Sequence, residues 1–258
     1  MASPTPSSRA TPSSALFTAA ISFAIMLVAG ALLGVVMGAL GIEDTPTLMA
    51  IVLPLQGVLV GAFVVARAMN TQQGARWTLA LQRGRRQALL LLILPAGLVS
   101  DAFLQWGLEH LTRLNTGQLA LMSEALDTQG WRQWSMLLGT VLVAPLYEEL
   151  LFRGYVFRGF SRHSTLAAVG GSALLFAGFH GDPLHALGVL PLGLALSWIR
   201  WRTEALWPAI LAHMLNNCIW AVVGLLGLEW SVGPMHGLAG LGACAAIVLA
   251  GEWAARRG

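Results

Sequence analysis

Apolar stretches close to twenty residues long recur along nearly the whole chain, and this one feature decides its class. A helix needs about 20 mostly apolar residues to cross the ~30 Å hydrocarbon core of a bilayer. On that ruler the sequence predicts eight crossings, at 15–40, 46–69, 88–110, 134–158, 164–181, 184–201, 204–227 and 233–254. Composition agrees, since only 10% of the 258 residues are charged and the mean hydropathy is +0.69. A soluble domain carries roughly 25% charged residues, and a disordered chain is poor in apolar ones, so both classes are excluded. The expected fold class is all-α, a polytopic membrane helix bundle with about eight transmembrane helices. Residues 1–14, rich in Pro, Ser and Thr, read as a disordered tail, and 15–258 as a single membrane-embedded domain.

Charge placement predicts the orientation. All 15 basic residues are arginine, and they sit at the ends of apolar stretches. That pattern describes topology and not a nucleic-acid surface, so no nucleic-acid partner is expected. With an even number of crossings both ends share one side, and only Arg113 and Arg132 fall opposite. The positive-inside bias then predicts a multi-pass protein of the cell membrane with both termini cytoplasmic. Residues 70–87 suit a short helix in the cytoplasmic interface, and 112–133 lie outside with an apolar patch at Leu119–Met122. Cys218 and Cys244 fall in apolar stretches and are expected to be free, buried thiols. Pro54, Pro95, Pro191 and Pro208 are expected to kink helices. There is no internal repeat of the kind transporters carry.

Ionisable groups inside the apolar stretches point to chemistry, because a charge near the bilayer centre costs roughly 2.5–3.5 kcal/mol or more. The fourth stretch holds Glu148, Glu149 and Arg153 within six positions. Glu149 and Arg153 are i,i+4 neighbours and can neutralise each other, whereas Glu148 is turned about 100° away. A carboxylate left without a cation at that depth suits proton exchange better than packing. His180 ends the fifth stretch, and His213 lies in the seventh with Asn216 and Asn217 after it. Counted from their cytoplasmic ends, Glu148 and His213 are level at ~15 Å and ~14 Å, and His180 is deeper at ~24 Å. His213 and Asn217, one turn apart, offer two donors pointing the same way, as an oxyanion site requires. Asn216 reads equally well as interhelical glue. Asp101, with Gln105 one turn later, is a weaker candidate for the same cavity. His185 and Asp182 are expected at the outer surface, and His110, His163 and His236 at helix ends or loops.

Three motifs stand in order on these segments: Glu148-Glu149-Leu-Leu-Phe-Arg153, Phe176-Ala-Gly-Phe-His180, and His213-Met-Leu-Asn216-Asn217. They resemble EExxxR, FxxxH and HxxxN of the CPBP family, the CAAX-protease and bacteriocin-processing intramembrane endopeptidases. The resemblance covers about 140–220 and implies a catalytic core within about 134–227 of an eight-helix protease reached from the cytosol. By it, Glu148 and His180 would activate the attacking water, and His213 with Asn217 would hold the oxyanion. Glu149, Arg153, Phe176 and Asn216 would support them. Members have been described both as metalloproteases and as glutamate-dependent enzymes. Were zinc the cofactor, its ligands would be Glu148, His180 and His213, but no HExxH is present, and the glutamate-activated water is preferred. The partners expected are the lipid bilayer and a peptide or protein substrate, lipidated or not. Two other classes compete: a non-catalytic membrane immunity or scaffold protein holding a peptide in the same cavity, and a proton-coupled transporter.

Overall fold

A computed structural model of the chain describes residues 10–42, 44–81 and 129–226, with 242, 246 and 249 as single positions. Among the described residues the fold is all-helical, with no strand. Of the expected crossings, 88–110 lies outside the described residues and so does 233–254 apart from 242, 246 and 249, as do Asp101, Gln105, Arg113, His110, His236, Cys244 and Pro95. So do residues 1–9 and the 112–128 part of the expected outer segment.

The first helix, α1, runs Pro12–Ala39 and starts earlier than the apolar pattern suggests. Thr11 and Ser14 form a reciprocal capping box, at 3.2 Å and 2.8 Å, and Pro12 takes the first helical position. Both features satisfy amide groups that a helix start would leave bare. Residues 10–14 are therefore ordered, contrary to the expectation of a disordered tail up to residue 14, and Ala10 and Ala15 are buried.

The second helix, α2, runs Thr45–Met69 with Asp44 as its cap, the carboxylate accepting from the Thr47 amide at 2.9 Å. Gln56 reaches across to the Met26 carbonyl of α1 at 2.7 Å, a polar tie of the kind helices use where water is absent. A five-residue helix, α3 (Gly74–Thr78), follows. The chain then turns inward at Ala80, whose φ is +54°, and buries Leu79 and Ala80. Within the described part of the expected 70–87 helix, Gly74–Thr78 alone is helical. The room for Leu79 comes from Gly154, where any side chain would meet the Leu79 δ-carbon at 2.9 Å.

The long helix α4, Trp131–Phe160, carries the first motif. It is not a plain α-helix: residues 138–143 and 150–156 are π-helical. Helix α5, Thr165–Gly178, is 14 residues long and stops short of the expected 181. Gly181, at φ +76°, turns the chain, and Asp182 caps α6 with Pro183 at its first position. Helices α6 (Pro183–Thr203) and α7 (Trp207–Leu225) complete the described bundle. Pro54 and Pro191 lie inside helices as expected, but Pro208 sits in the first turn of α7, where its missing N–H is no loss. Cys218 is free but exposed, against expectation, because α7 turns its polar residues inward and Cys218 outward.

Helices α1, α2 and α4 are long and apolar enough to cross a membrane. At 14 residues, α5 reaches only about 21 Å. Ends of the bundle are distinguished by charge. Arg132 at the start of α4 binds Asp44 at 3.2 Å, whereas Arg67, Arg158, Arg200 and Arg202 stand near the C-terminal ends of α2, α4 and α6. The core gathers Val60, Val64, Leu151, Phe152, Tyr155 and Phe176. Leu27, Leu32 and Val35 of α1 face outward, as suits lipid.

Two outcomes follow from the packing. At Gly159 an added methyl would sit 2.7 Å from the Ala15 β-carbon and 2.8 Å from the Thr11 carbonyl oxygen, while at Gly170 nothing stands within 4 Å. Gly159→Ala should lower stability by about 1–3 kcal/mol and Gly170→Ala should be neutral or raise it by about 0.5–1 kcal/mol, read from thermal unfolding in detergent. Thr47 and then Arg132 hold the Asp44 carboxyl below the ordinary carboxylate range. The sign is that of a depressed acid: its contribution is full above the ordinary range and is lost as pH falls through the lowered value. Relative to Asp44→Asn, wild-type stability should therefore fall only at strongly acid pH.

Candidate active site

The site grows from the centre of α4. Residues 144–149 form one α-helical stretch between the two π-helical ones and carry Glu148 and Glu149. A π turn holds an extra residue, so the faces before and after it are offset. Glu149 and Arg153 are both fully buried and pair at 2.7 Å, as their spacing predicts. The guanidinium also donates to the Gly193 carbonyl of α6 at 2.9 Å and lies 4.3 Å over the Phe176 ring of α5. Gly193 permits this approach, since a β-carbon there would meet Phe176 at 3.1 Å.

Helix α7 supplies the next layer. His213 donates from Nδ1 to the same Glu149 oxygen, Oε1, at 2.9 Å. Its other nitrogen, Nε2, faces Glu148 Oε2 at 3.8 Å, too long for a hydrogen bond but close for opposite charges. Sequence spacing missed the His213–Glu149 bond, because it joins residues 64 positions apart. It also left Glu148 without a neighbour, whereas His213 is one. Glu149 Oε1 thus takes two charge-assisted bonds, and Glu148 has none of that strength.

His180 does not lie in α5. It stands two residues beyond the helix, in the turn that Gly181 closes. The ring Nδ1–H donates to the Phe176 carbonyl at 2.9 Å, which leaves Nε2 as the acceptor nitrogen. Phe176 meets His180 at 5.1 Å and His213 at 5.6 Å between ring centres, edge to face in both cases. One aromatic ring thereby links the two imidazoles, a role that the FxxxH spacing contains. His185, expected at the surface, is half-buried with its ring 4.8 Å from that of His180. His163 is exposed, as expected.

The two asparagines are bonded to each other and onward to α4. Asn217 donates to the Thr140 carbonyl of α4 at 2.9 Å and accepts from Asn216 at 3.2 Å. One of its two N–H groups is therefore committed, and one remains. A signal for this was present: Pro145 has no N–H to offer the carbonyl five residues back, which is that of Thr140. The structure thus joins Glu148, Glu149, Arg153, Phe176, His180 and His213 in one network, with Asn217 bracing α7 against α4.

A zinc site fits poorly. Among the described residues no three His, Cys, Asp or Glu side chains converge as a ligand group.

Comparison with known proteins falls on the same segment. Residues 130–219 match the family model of the Rce1-like proteins, described as type II CAAX prenyl endopeptidase Rce1-like. The chain is also 26% identical over 91 residues to the "Putative membrane peptidase YdiL" of Bacillus subtilis (strain 168). That alignment spans 35% of this chain and 37% of the relative. No solved structure matches significantly.

The network separates the two glutamates by their effect on folding. Glu149→Leu should destabilise by about 3–5 kcal/mol, since it strands the buried Arg153. Glu148→Gln should change stability by less than about 1 kcal/mol. Thermal unfolding of both purified variants checks the contrast.

Proposed function

With residues 130–219 identified as an Rce1-like segment, we propose that this membrane protein is an intramembrane endopeptidase of the CAAX type. Its proposed substrate is the tail of a lipidated peptide or protein, and its proposed topology has both termini in the cytosol. One observation supports the reading above others. Of two adjacent buried glutamates, Glu149 accepts from both Arg153 and His213 on one oxygen, whereas Glu148 faces His213 Nε2 at 3.8 Å with no guanidinium on it. A structural ion pair would need only the first.

In the proposed reaction Glu148 takes a proton from water, with His180 Nε2 accepting a hydrogen bond from the same water. The water oxygen bonds to the scissile carbonyl carbon. His213, carrying both ring protons, donates Nδ1–H to Glu149 and Nε2–H to the oxyanion, and the second N–H of Asn217 joins it. Collapse of the intermediate breaks the C–N bond, and the proton held by Glu148 passes to the departing amine. No step runs through a metal.

Purified protein in proteoliposomes, given a fluorogenic peptide ending in a farnesylated Cys-aliphatic-aliphatic-Xaa tail, tests this. Glu148→Gln should lower kcat/KM by ~10²–10⁴-fold with folded yield retained, and Asn217→Ala by ~10²–10³-fold with some loss of folded yield, since it also strips the Thr140 carbonyl of its bond. Cleavage should survive a strong zinc chelator. Wild-type rates in Glu148→Gln would overturn the role of Glu148. Cleavage of the unlipidated peptide alone would overturn the substrate class. Tight binding of the peptide without cleavage would favour the scaffold reading.

A further inference from the structure

His185 has no part in the chemistry above, yet it leans on a residue that does. His180 stands past the end of α5, so no helical lattice holds its side chain. Local contacts replace it. The Nδ1–H bond to Phe176 fixes which nitrogen is the acceptor, and the Phe176 ring braces the imidazole from one direction. The ring of His185 meets it at 4.8 Å, tilted by 44°. That ring is itself firmly placed. The His185 amide donates to the Asp182 carboxylate at 2.7 Å, Pro183 starts α6, and Gly181 makes the reversal at φ +76°. The turn is fastened on its other side by the amides of His180 and Gly181, both bonded at 3.2 Å to the last residues of α5.

We propose that His185 is a positioning residue: its flat ring, packed on His180, holds that imidazole in the orientation from which Nε2 addresses the water at Glu148. The proposal rests on the assignment of Glu148 and His180 as the hydrolytic pair. It asks for a flat ring and not for a proton, which distinguishes His185 from a relay. Orientation is worth this much machinery because a ~1 Å misplacement of a reacting group can cost ~10²-fold in rate.

Three substitutions in the full chain separate shape from chemistry. His185→Phe keeps a flat ring, His185→Leu keeps apolar bulk without one, and His185→Ala removes both. With the farnesylated peptide in proteoliposomes, His185→Phe should stay within about threefold of wild-type kcat. His185→Leu and His185→Ala should lose about 10–100-fold in kcat with KM unchanged. Ring-nitrogen NMR of His180 gives a readout free of substrate. The Nδ1–H tautomer should persist as one sharp signal in wild type and His185→Phe, and broaden or average in the other two. Wild-type kcat and an unchanged His180 signal in His185→Leu or His185→Ala would overturn the proposal. So would a His185→Phe protein as slow as His185→Ala, since a ring nitrogen would then be required. Glu148→Gln run alongside keeps the two assignments apart: full activity there removes the hydrolytic pair, while the NMR series still decides whether His185 orders His180.

Discussion

One carboxylate oxygen organises the interior of this protein. Glu149 Oε1 accepts from Arg153 on its own helix and from His213 on α7. Arg153 carries the connection onward, to a backbone carbonyl of α6 and to the ring of Phe176 on α5. An arginine inside a bilayer protein needs partners for its charge, because leaving one buried charge alone costs several kcal/mol. Its Nη1 and Nη2 bonds draw α4 and α6 to one point, the ring under the guanidinium adds α5, and the imidazole on Glu149 adds α7. The second glutamate inherits its character from this arrangement. It lies in the same buried place, but the strongest local cation has been spent on its neighbour.

Departures from regular helix lie around the same point. The stretch bearing both glutamates is flanked by two π-helical segments, which offset one face of α4 from the next. Pro145, at the start of that stretch, offers no amide, and the Thr140 carbonyl takes its bond from Asn217 instead. His180 is placed by a turn and not by a helix. In a membrane bundle, broken backbone geometry persists only where protein groups satisfy the freed polar atoms. Here side chains of α5, α6 and α7 do so: Ser172 bonds the Phe152 carbonyl, Arg200 that of Arg153 and Asn217 that of Thr140.

Outside this centre, small and hydroxylated residues set how closely helices approach. Gly57 and Gly139 let α2 lie against α4, and Gly159 lets α4 meet the start of α1. Ser135 and Ser172 bond across helices to backbone carbonyls at 2.6 Å and 2.8 Å. Such contacts stand in for the hydrophobic drive that lipid removes. They hold the scaffold while the buried ion pair specifies its register.

Much of this was present in the order of residues. The apolar stretches predicted helices at the right places for the described α1, α2, α4, α5, α6 and α7, and the i,i+4 spacing predicted the Glu149–Arg153 pair. Local chemistry of that sort depends on a fixed helical rise and turn, so a linear pattern can report it. The reach of the capping box at Thr11 was also written there, in Thr-Pro-Ser-Ser, though apolar length alone hides it. What the linear pattern could not decide was partnership between distant segments. The bond from His213 to Glu149 and the approach of Nε2 to Glu148 join residues on separate elements. Each depends on how far one helix rotates and slides against another, and that is settled by the summed packing of many side chains, not by any short run of sequence.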